Sequence, residues 1–199
     1  MDEKKNFYVA VSRQFGSGGG ETAAKLAAKL GIHCYDKSLA EMTSVVTGFD
    51  KEVILGNEDK STNAFWYAGF LSGESLSLYD KVYIGQSHVI RQLADKGSCV
   101  FVGRCAAKVL AEKEHLIKVF ICAPMEQRIE RVASGYNVTP EEAEKIIRKN
   151  DKARAAYYKK YAEMEWGKID NYDLSVNTRV GTDKAADIIA DYVHEIIKD

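Results

Sequence analysis

Between a short apolar run, Phe7-Tyr8-Val9-Ala10-Val11, and an alanine-rich stretch lies Ser12-Arg13-Gln14-Phe15-Gly16-Ser17-Gly18-Gly19-Gly20-Glu21-Thr22, with four glycines in five residues. Glycine adopts positive φ without a Cβ clash, so such a backbone can wrap an anion and turn successive N–H groups towards it. A helix starting at about Gly20 adds its unpaired N–H groups and partial positive charge. Phosphate suits that nest, which makes Gly16, Ser17, Gly18, Gly19, Gly20, Glu21 and Thr22 candidate phosphate contacts. In the P-loop pattern G-x-x-x-x-G-K-[ST], a lysine follows the last glycine and reaches the terminal phosphates. Aligned on Gly19, this chain has Gly20 at the lysine position and Gln14 at the first glycine. The missing cation then has to come from Arg13 or from basic residues further along the chain.

Two arginine clusters qualify. Pro124-x-x-x-Arg128-Ile129-Glu130-Arg131 sets two arginines about one helical turn apart, and Arg148-x-x-Asp151-x-x-Arg154 sets three charges within roughly a third of a helical circumference. Guanidinium forks match the oxygens of a phosphoryl group in transfer, and Asp151 can orient Arg148 or Arg154 towards it. A solvated helix laced with i,i+4 ion pairs would show the same charges across residues 141–160.

These residues need a frame. Apolar β-type runs alternate with helical patterns, which implies an α/β fold with a parallel sheet covered by helices. Strands are expected at 7–11, 32–35, 99–102, 116–122 and 173–177, with helices at 20–30 (ended by Gly31), after Gly103, after Pro124, and at 184–197. Thr139-Pro140-Glu141-Glu142 is a capping box opening a long charged helix to about Tyr161. Two stretches fit no βα unit. Residues 36–97 form an acceptor-side helical excursion: 57–77 are rich in Ser, Gly and Asn around Phe65-Trp66-Tyr67, and 57–79 form a candidate homodimer surface. Residues 79–96 turn helical, with Val82, Val89, Ile90 and Leu93 facing inward. Residues 128–162 form a helical lid. Both excursions follow the carboxyl ends of strands, the edge at which such sheets bind ligands.

Bulk properties narrow the classes. The chain has 199 residues, 46% hydrophobic and 29% charged, with a formal net charge of -1. That balance fits a single globular domain and gives no global field towards nucleic acid or anionic membrane. No apolar stretch approaches the roughly 18 residues of a membrane helix, and MDEKKNFYVAVS does not read as a signal peptide. The expected setting is cytoplasmic. The four cysteines (Cys34, Cys99, Cys105, Cys122) form no C-x-x-C pair, and with four scattered histidines they give no metal-ligand spacing. Reduced, structural cysteines and no protein-built metal site are expected.

Ser12 to Gly19, Tyr35-Asp36-Lys37, Val102-Gly103-Arg104-Cys105-Ala106, Asn150-Asp151-Lys152-Ala153-Arg154-x-x-Tyr157-Tyr158, Trp166-Gly167 and Asn171-Tyr172-Asp173-Leu174 occur in this order over nearly the whole chain. Together they resemble the cytidylate kinase-like family. The resemblance implies a P-loop kinase core with five parallel strands, a nucleotide-monophosphate-binding excursion after strand two, and a lid after strand four. It implies ATP with Mg²⁺, phosphate contact by Gly16 to Thr22, Arg128 near the adenine face, and Arg131, Arg148, Asp151 and Arg154 near the phosphates in flight. Asp36 and Arg104, with Arg91, fall on the acceptor side. The implied activity is phosphoryl transfer to a nucleoside monophosphate or a similar small acceptor. The alternatives are a nucleotide-binding sensor that lost catalysis with the lysine, now Gly20, or a kinase of another small molecule. Cys105, where the family's cytidylate kinases carry aspartate, motivates the last.

Overall fold

The computed structural model describes residues 5–49, Ile54 and 77–198. The Phe65-Trp66-Tyr67 stretch, and the dimer surface expected of it, lie outside the described residues.

Five strands form one parallel sheet: β1 (Tyr8–Arg13), β2 (His33–Tyr35), β3 (Cys99–Val102), β4 (Leu116–Cys122) and β5 (Leu174–Asn177), in the order β2-β3-β1-β4-β5. A sheet covered on both faces calls for nearly continuous apolar strands, and β1 and β3 read that way. Alternate residues serve opposite cores. Val9 and Val11 pack with Leu26 of α1 (Gly19–Leu30) and with Ile189 and Val193 of the last helix. Tyr8, Ala10 and Phe101 face Leu39 and Ile90 on the other side. Because β1 is central, the loop at its carboxyl end sits in the middle of the ligand-binding edge.

The remaining helices are α2 (Lys37–Thr47), α3 (Leu78–Ala94), α4 (Ala106–Val109), α5 (Met125–Tyr136), α6 (Pro140–Tyr161) and α7 (Thr182–Ile196). Val82, Val89, Ile90 and Leu93 of α3 are buried, as their spacing implies. The capping box at Thr139 forms with both reciprocal bonds: Thr139 Oγ1 accepts from the Glu142 N–H at 3.3 Å and Glu142 Oε2 from the Thr139 N–H at 3.1 Å. Two features depart from the sequence expectation. Helix α2 occupies a part of the acceptor-side excursion in which the sequence marks no individual helix, because its Thr, Ser and Val residues are weak helix formers. It is held by packing on α3 at Gly85, where a Cβ would lie 2.2 Å from Thr47 Cγ2. The helix after Gly103 is only four residues long, since Arg104 and Cys105 both adopt left-handed φ, 57° and 53°, before it begins.

Candidate active site

The chain leaves β1 at Arg13 and enters α1 at Gly19. Gly16 and Gly18 both have φ of 75°, and Gly18 caps α1 without any side-chain hydrogen bond. The first-turn N–H groups of a helix have no partner within it, so here they face the concave side of a glycine turn. Neighbours fix the curve. Ser17 Oγ donates to the Gln14 carbonyl at 2.8 Å, Thr22 Oγ1 to the Gly18 carbonyl at 3.0 Å, and Thr178 Oγ1 to the Ser17 carbonyl at 2.7 Å. Space forbids side chains: a Cβ on Gly16 would meet Val132 Cγ2 at 2.8 Å, and one on Gly18 would meet Arg131 Nη1 and Thr182 Cγ2 at 2.9 Å. A carboxylate at this mouth would repel phosphate. Glu21 instead accepts from Lys25 at 2.8 Å and from Thr182 Oγ1 at 2.7 Å, and those two bonds hold its carboxyl below the usual range.

The arginines after β4 grip this loop. Arg128, only 3% exposed, donates from Nε to the Phe15 carbonyl at 2.8 Å, and its other fork nitrogen pairs with Asp151. Asp151 Oδ1 in turn accepts from the Phe15 N–H at 2.8 Å. Arg131 Nη1 donates to the Gly16 carbonyl at 3.1 Å, and Arg154 Nη1 to the Arg13 carbonyl at 2.8 Å, with its guanidinium 5.3 Å from the Phe15 ring centre. Asp151 was expected to orient Arg148 or Arg154. The structure pairs it with Arg128, because α5 and α6 pack together and present a buried cation to it. Arg148 is not brought to the loop; its side chain is 67% exposed and bonded to Glu144.

Beside the loop, Arg13, Arg104, Arg154, Tyr157, Tyr158 and Trp166 line a narrow pocket. Three guanidinium groups on one pocket suit a doubly charged anion. Asp36, at the end of β2, lies 3.8 Å from Arg13 Nη2. Arg91 stands on an exposed position of α3, outside the pocket lining. Gln86 of α3 is 1% exposed; its Oε1 accepts from the Tyr157 hydroxyl at 3.3 Å, and its Nε2 has no hydrogen-bond partner among the described residues. The pocket wall is stiff: the buried Tyr158 hydroxyl is 2.7 Å from Ser12 Oγ, and burial pushes its ionisation far above the ordinary range. Cys105 is fully buried among Tyr158, Ala162, Trp166 and neighbouring tyrosines.

The far end of α6 is moored to α3 through Asp80. That carboxylate accepts from Tyr161 Oη at 2.9 Å, Ser77 Oγ at 2.6 Å and Lys160 Nζ at 2.7 Å. Partial burial opposes its ionisation, but the Lys160, Ser77 and Tyr161 hydrogen bonds prevail and hold it down at about 2. Burial pushes the Cys34 thiol up to about 11 and Cys99 to about 12, so neither is primed as a nucleophile. Among the described residues no group of three or more His, Cys, Asp or Glu could hold a metal, and no helix is long and apolar enough to cross a membrane.

Sequence reasoning missed the roles of Phe15, Thr178, Gln86 and Asp80. For Asp80 a signal existed, the Ser77-x-x-Asp80 capping pattern. For Phe15 and Thr178 the contacts join segments more than 100 residues apart, which no local pattern reveals.

Comparison with known proteins places these features in context. A family model described as the cytidylate kinase-like family matches residues 8–180. A cytidylate kinase from Methanopyrus kandleri is 32% identical over 96 residues, which covers 44% of this chain and 50% of that protein. The chain thus spans about half the length of that curated relative. An uncharacterized protein from Eubacterium ventriosum, of known crystal structure, superposes with a TM-score of 0.73 at 28% identity, covering 94% of this chain and 98% of that one. Shikimate kinase from Acinetobacter baumannii, solved with shikimate, shares the fold at a TM-score of 0.56 and 16% identity, over 96% of this chain and 95% of its own.

Proposed function

The chain belongs to the cytidylate kinase-like family, and on that premise we propose that it transfers the γ-phosphoryl group of MgATP to a nucleoside monophosphate or a small acceptor of like chemistry. The observation that carries this reading is the placement of one glycine loop, gripped by Arg128, Asp151, Arg131 and Arg154, directly beside a pocket lined by Arg13, Arg104 and Arg154. One side offers backbone N–H groups for a triphosphate; the other offers guanidinium groups for an acceptor anion.

In this reading, Gly16, Ser17, Gly18, Gly19, Gly20, Glu21 and Thr22 form the triphosphate cradle through their backbone. The residues fit the group: no side chain caps α1, and Gly16 and Gly18 hold positive φ where a Cβ would collide with Val132, Arg131 and Thr182, so the loop keeps its bare backbone. Mg²⁺, when bound with ATP, would neutralise charge on the terminal phosphates. Arg104 and Asp36 sit on the acceptor side of the pocket, with Arg91 further out along α3. An acceptor phosphate oxygen attacks the γ-phosphorus as the bond to the ADP oxygen breaks. The acceptor is already an anion, so no general base is required; positioning and charge neutralisation supply the catalysis. Arg131, Asp151 and Arg154 hold the loop shape against which the phosphates align, and Arg128 holds Phe15. Arg148 joins them only on leaving Glu144.

The test is ADP formation from MgATP across a panel of nucleoside monophosphates and other small phosphorylated acceptors. Turnover with one acceptor, lost in Arg154→Ala, supports the reading; tight MgATP binding without turnover on any acceptor rejects it. That second result would favour a nucleotide sensor, which Gly20 in place of lysine motivates.

A further inference from the structure

We propose that Arg13 carries the charge of the absent P-loop lysine, reaching the phosphates from the end of β1 across the bare surface of Gly19 and Gly20. The inference rests on the phosphate-loop reading and assigns the cation that reading lacks.

The seat for this side chain is built into the loop. A Cβ on Gly19 would lie 2.5 Å from Arg13 Cβ and 2.9 Å from Arg13 Cγ, so the arginine stem occupies the space of a side chain at position 19. A Cβ on Gly20 would lie 3.0 Å from Asp36 Oδ2. A lysine at position 20 would therefore leave the helix towards the carboxylate that now stands 3.8 Å from Arg13 Nη2. The two glycines and Asp36 together make a slot for a cation arriving from the strand side. Arg13 also lines the pocket it shares with Arg104 and Arg154.

The other arginines around the loop are otherwise engaged, Arg104 through its bond to the Ile54 carbonyl at 3.4 Å. Arg128 is buried on Phe15 and Asp151, Arg131 bonds the Gly16 carbonyl, Arg154 bonds the Arg13 carbonyl, and Arg148 bonds Glu144. Among the described residues, the ion-pair partner of the Arg13 side chain is Asp36, at 3.8 Å, longer than a hydrogen bond. Its side chain is nonetheless only 13% exposed, so it is largely desolvated in a fixed place before any phosphate arrives. Arg154 supports it by holding the Arg13 carbonyl.

The experiment compares the parent with Arg13→Ala, Arg13→Lys, Gly20→Lys and Arg13→Ala/Gly20→Lys. Calorimetric affinity for MgATP and MgADP is measured first, and thermal unfolding confirms that each variant folds. Arg13→Ala should erase most of the preference for MgATP and lower phosphoryl transfer by about a hundredfold or more, the usual effect of one preorganised charge donor. Gly20→Lys added to Arg13→Ala should restore much of that preference, and Arg13→Lys should retain part of it. An unchanged MgATP preference in Arg13→Ala would overturn the proposal. So would a loss that neither Gly20→Lys nor Arg13→Lys repairs in folded protein, since Arg13 would then be only a support of the loop. A parent that binds MgATP but phosphorylates no acceptor would reject the kinase reading while leaving the Arg13 comparison intact through binding. A parent that does not bind MgATP would reject both.

Discussion

Arg128 and Asp151 come from different helices, α5 and α6, yet bond the carbonyl and the N–H of one residue, Phe15, while pairing with each other. A peptide segment gripped at both polar groups has little freedom, and this one is the entrance to the glycine loop. The shape of the candidate phosphate site is thus set partly by elements more than a hundred residues away in sequence.

Removing either partner leaves the other charge buried and poorly compensated. Arg128→Ala or Asp151→Ala should destabilise the protein by about 3 kcal/mol or more. The double variant should cost less than the sum of the two singles. Urea unfolding of the four proteins reads this directly; additive losses would show that the pair does not act as a unit.

Arg148 and Arg154 lie on the same helix but in different surroundings. The Arg148–Glu144 pair is solvent-exposed, so Arg148→Ala should shift stability by less than about 1 kcal/mol. It should also leave MgATP affinity nearly unchanged. Arg154→Ala removes the bond to the Arg13 carbonyl and a pocket wall, and should weaken MgATP binding markedly. Calorimetry on the two variants side by side decides between these environments.

Asp80 should show itself at acid pH. Its carboxyl is held at about 2, below its ordinary value of 3.8. A depressed acid stabilises the fold above its unfolded value, and that contribution, about 2 kcal/mol, is lost as pH falls through the folded value. Asp80→Asn should therefore be less stable than the parent between pH 5 and 7 by roughly that amount. The difference should shrink between about pH 4 and pH 2. Unfolding measured over this range checks the sign.

Gly85→Ala tests how closely α2 and α3 pack. Alanine ordinarily favours a helix by about 1 kcal/mol over glycine. Here its methyl would lie 2.2 Å from Thr47 Cγ2, and overpacking costs typically about 1–3 kcal/mol. A net loss of stability is expected, relieved by Thr47→Ser, which removes the clashing methyl; thermal melts of the single and double variants check this.

Much of this was legible in the sequence. Strands such as Cys99–Val102 and Leu116–Cys122 announce themselves as apolar runs, because both faces of a parallel sheet are covered. The glycine loop and the Thr139 capping box are local chemistry, written in adjacent residues. Helix α2 was not legible, since Lys37–Thr47 forms a helix only against α3. Nor was the partner of Asp151: spacing puts it near Arg148 and Arg154, but α5 packed on α6 delivers Arg128. Such pairings depend on how helices meet, and a single sequence does not encode that in any short pattern.

The most direct test of the central claim is calorimetric titration of MgATP into the parent and into a Gly18→Ala variant. Alanine at position 18 would be forced into left-handed φ and against Arg131 and Thr182. The parent should bind MgATP at a single site, with that affinity largely lost in Gly18→Ala while the protein stays folded. Absence of MgATP binding by the parent, or equal binding by folded Gly18→Ala, would contradict a phosphate cradle at this loop.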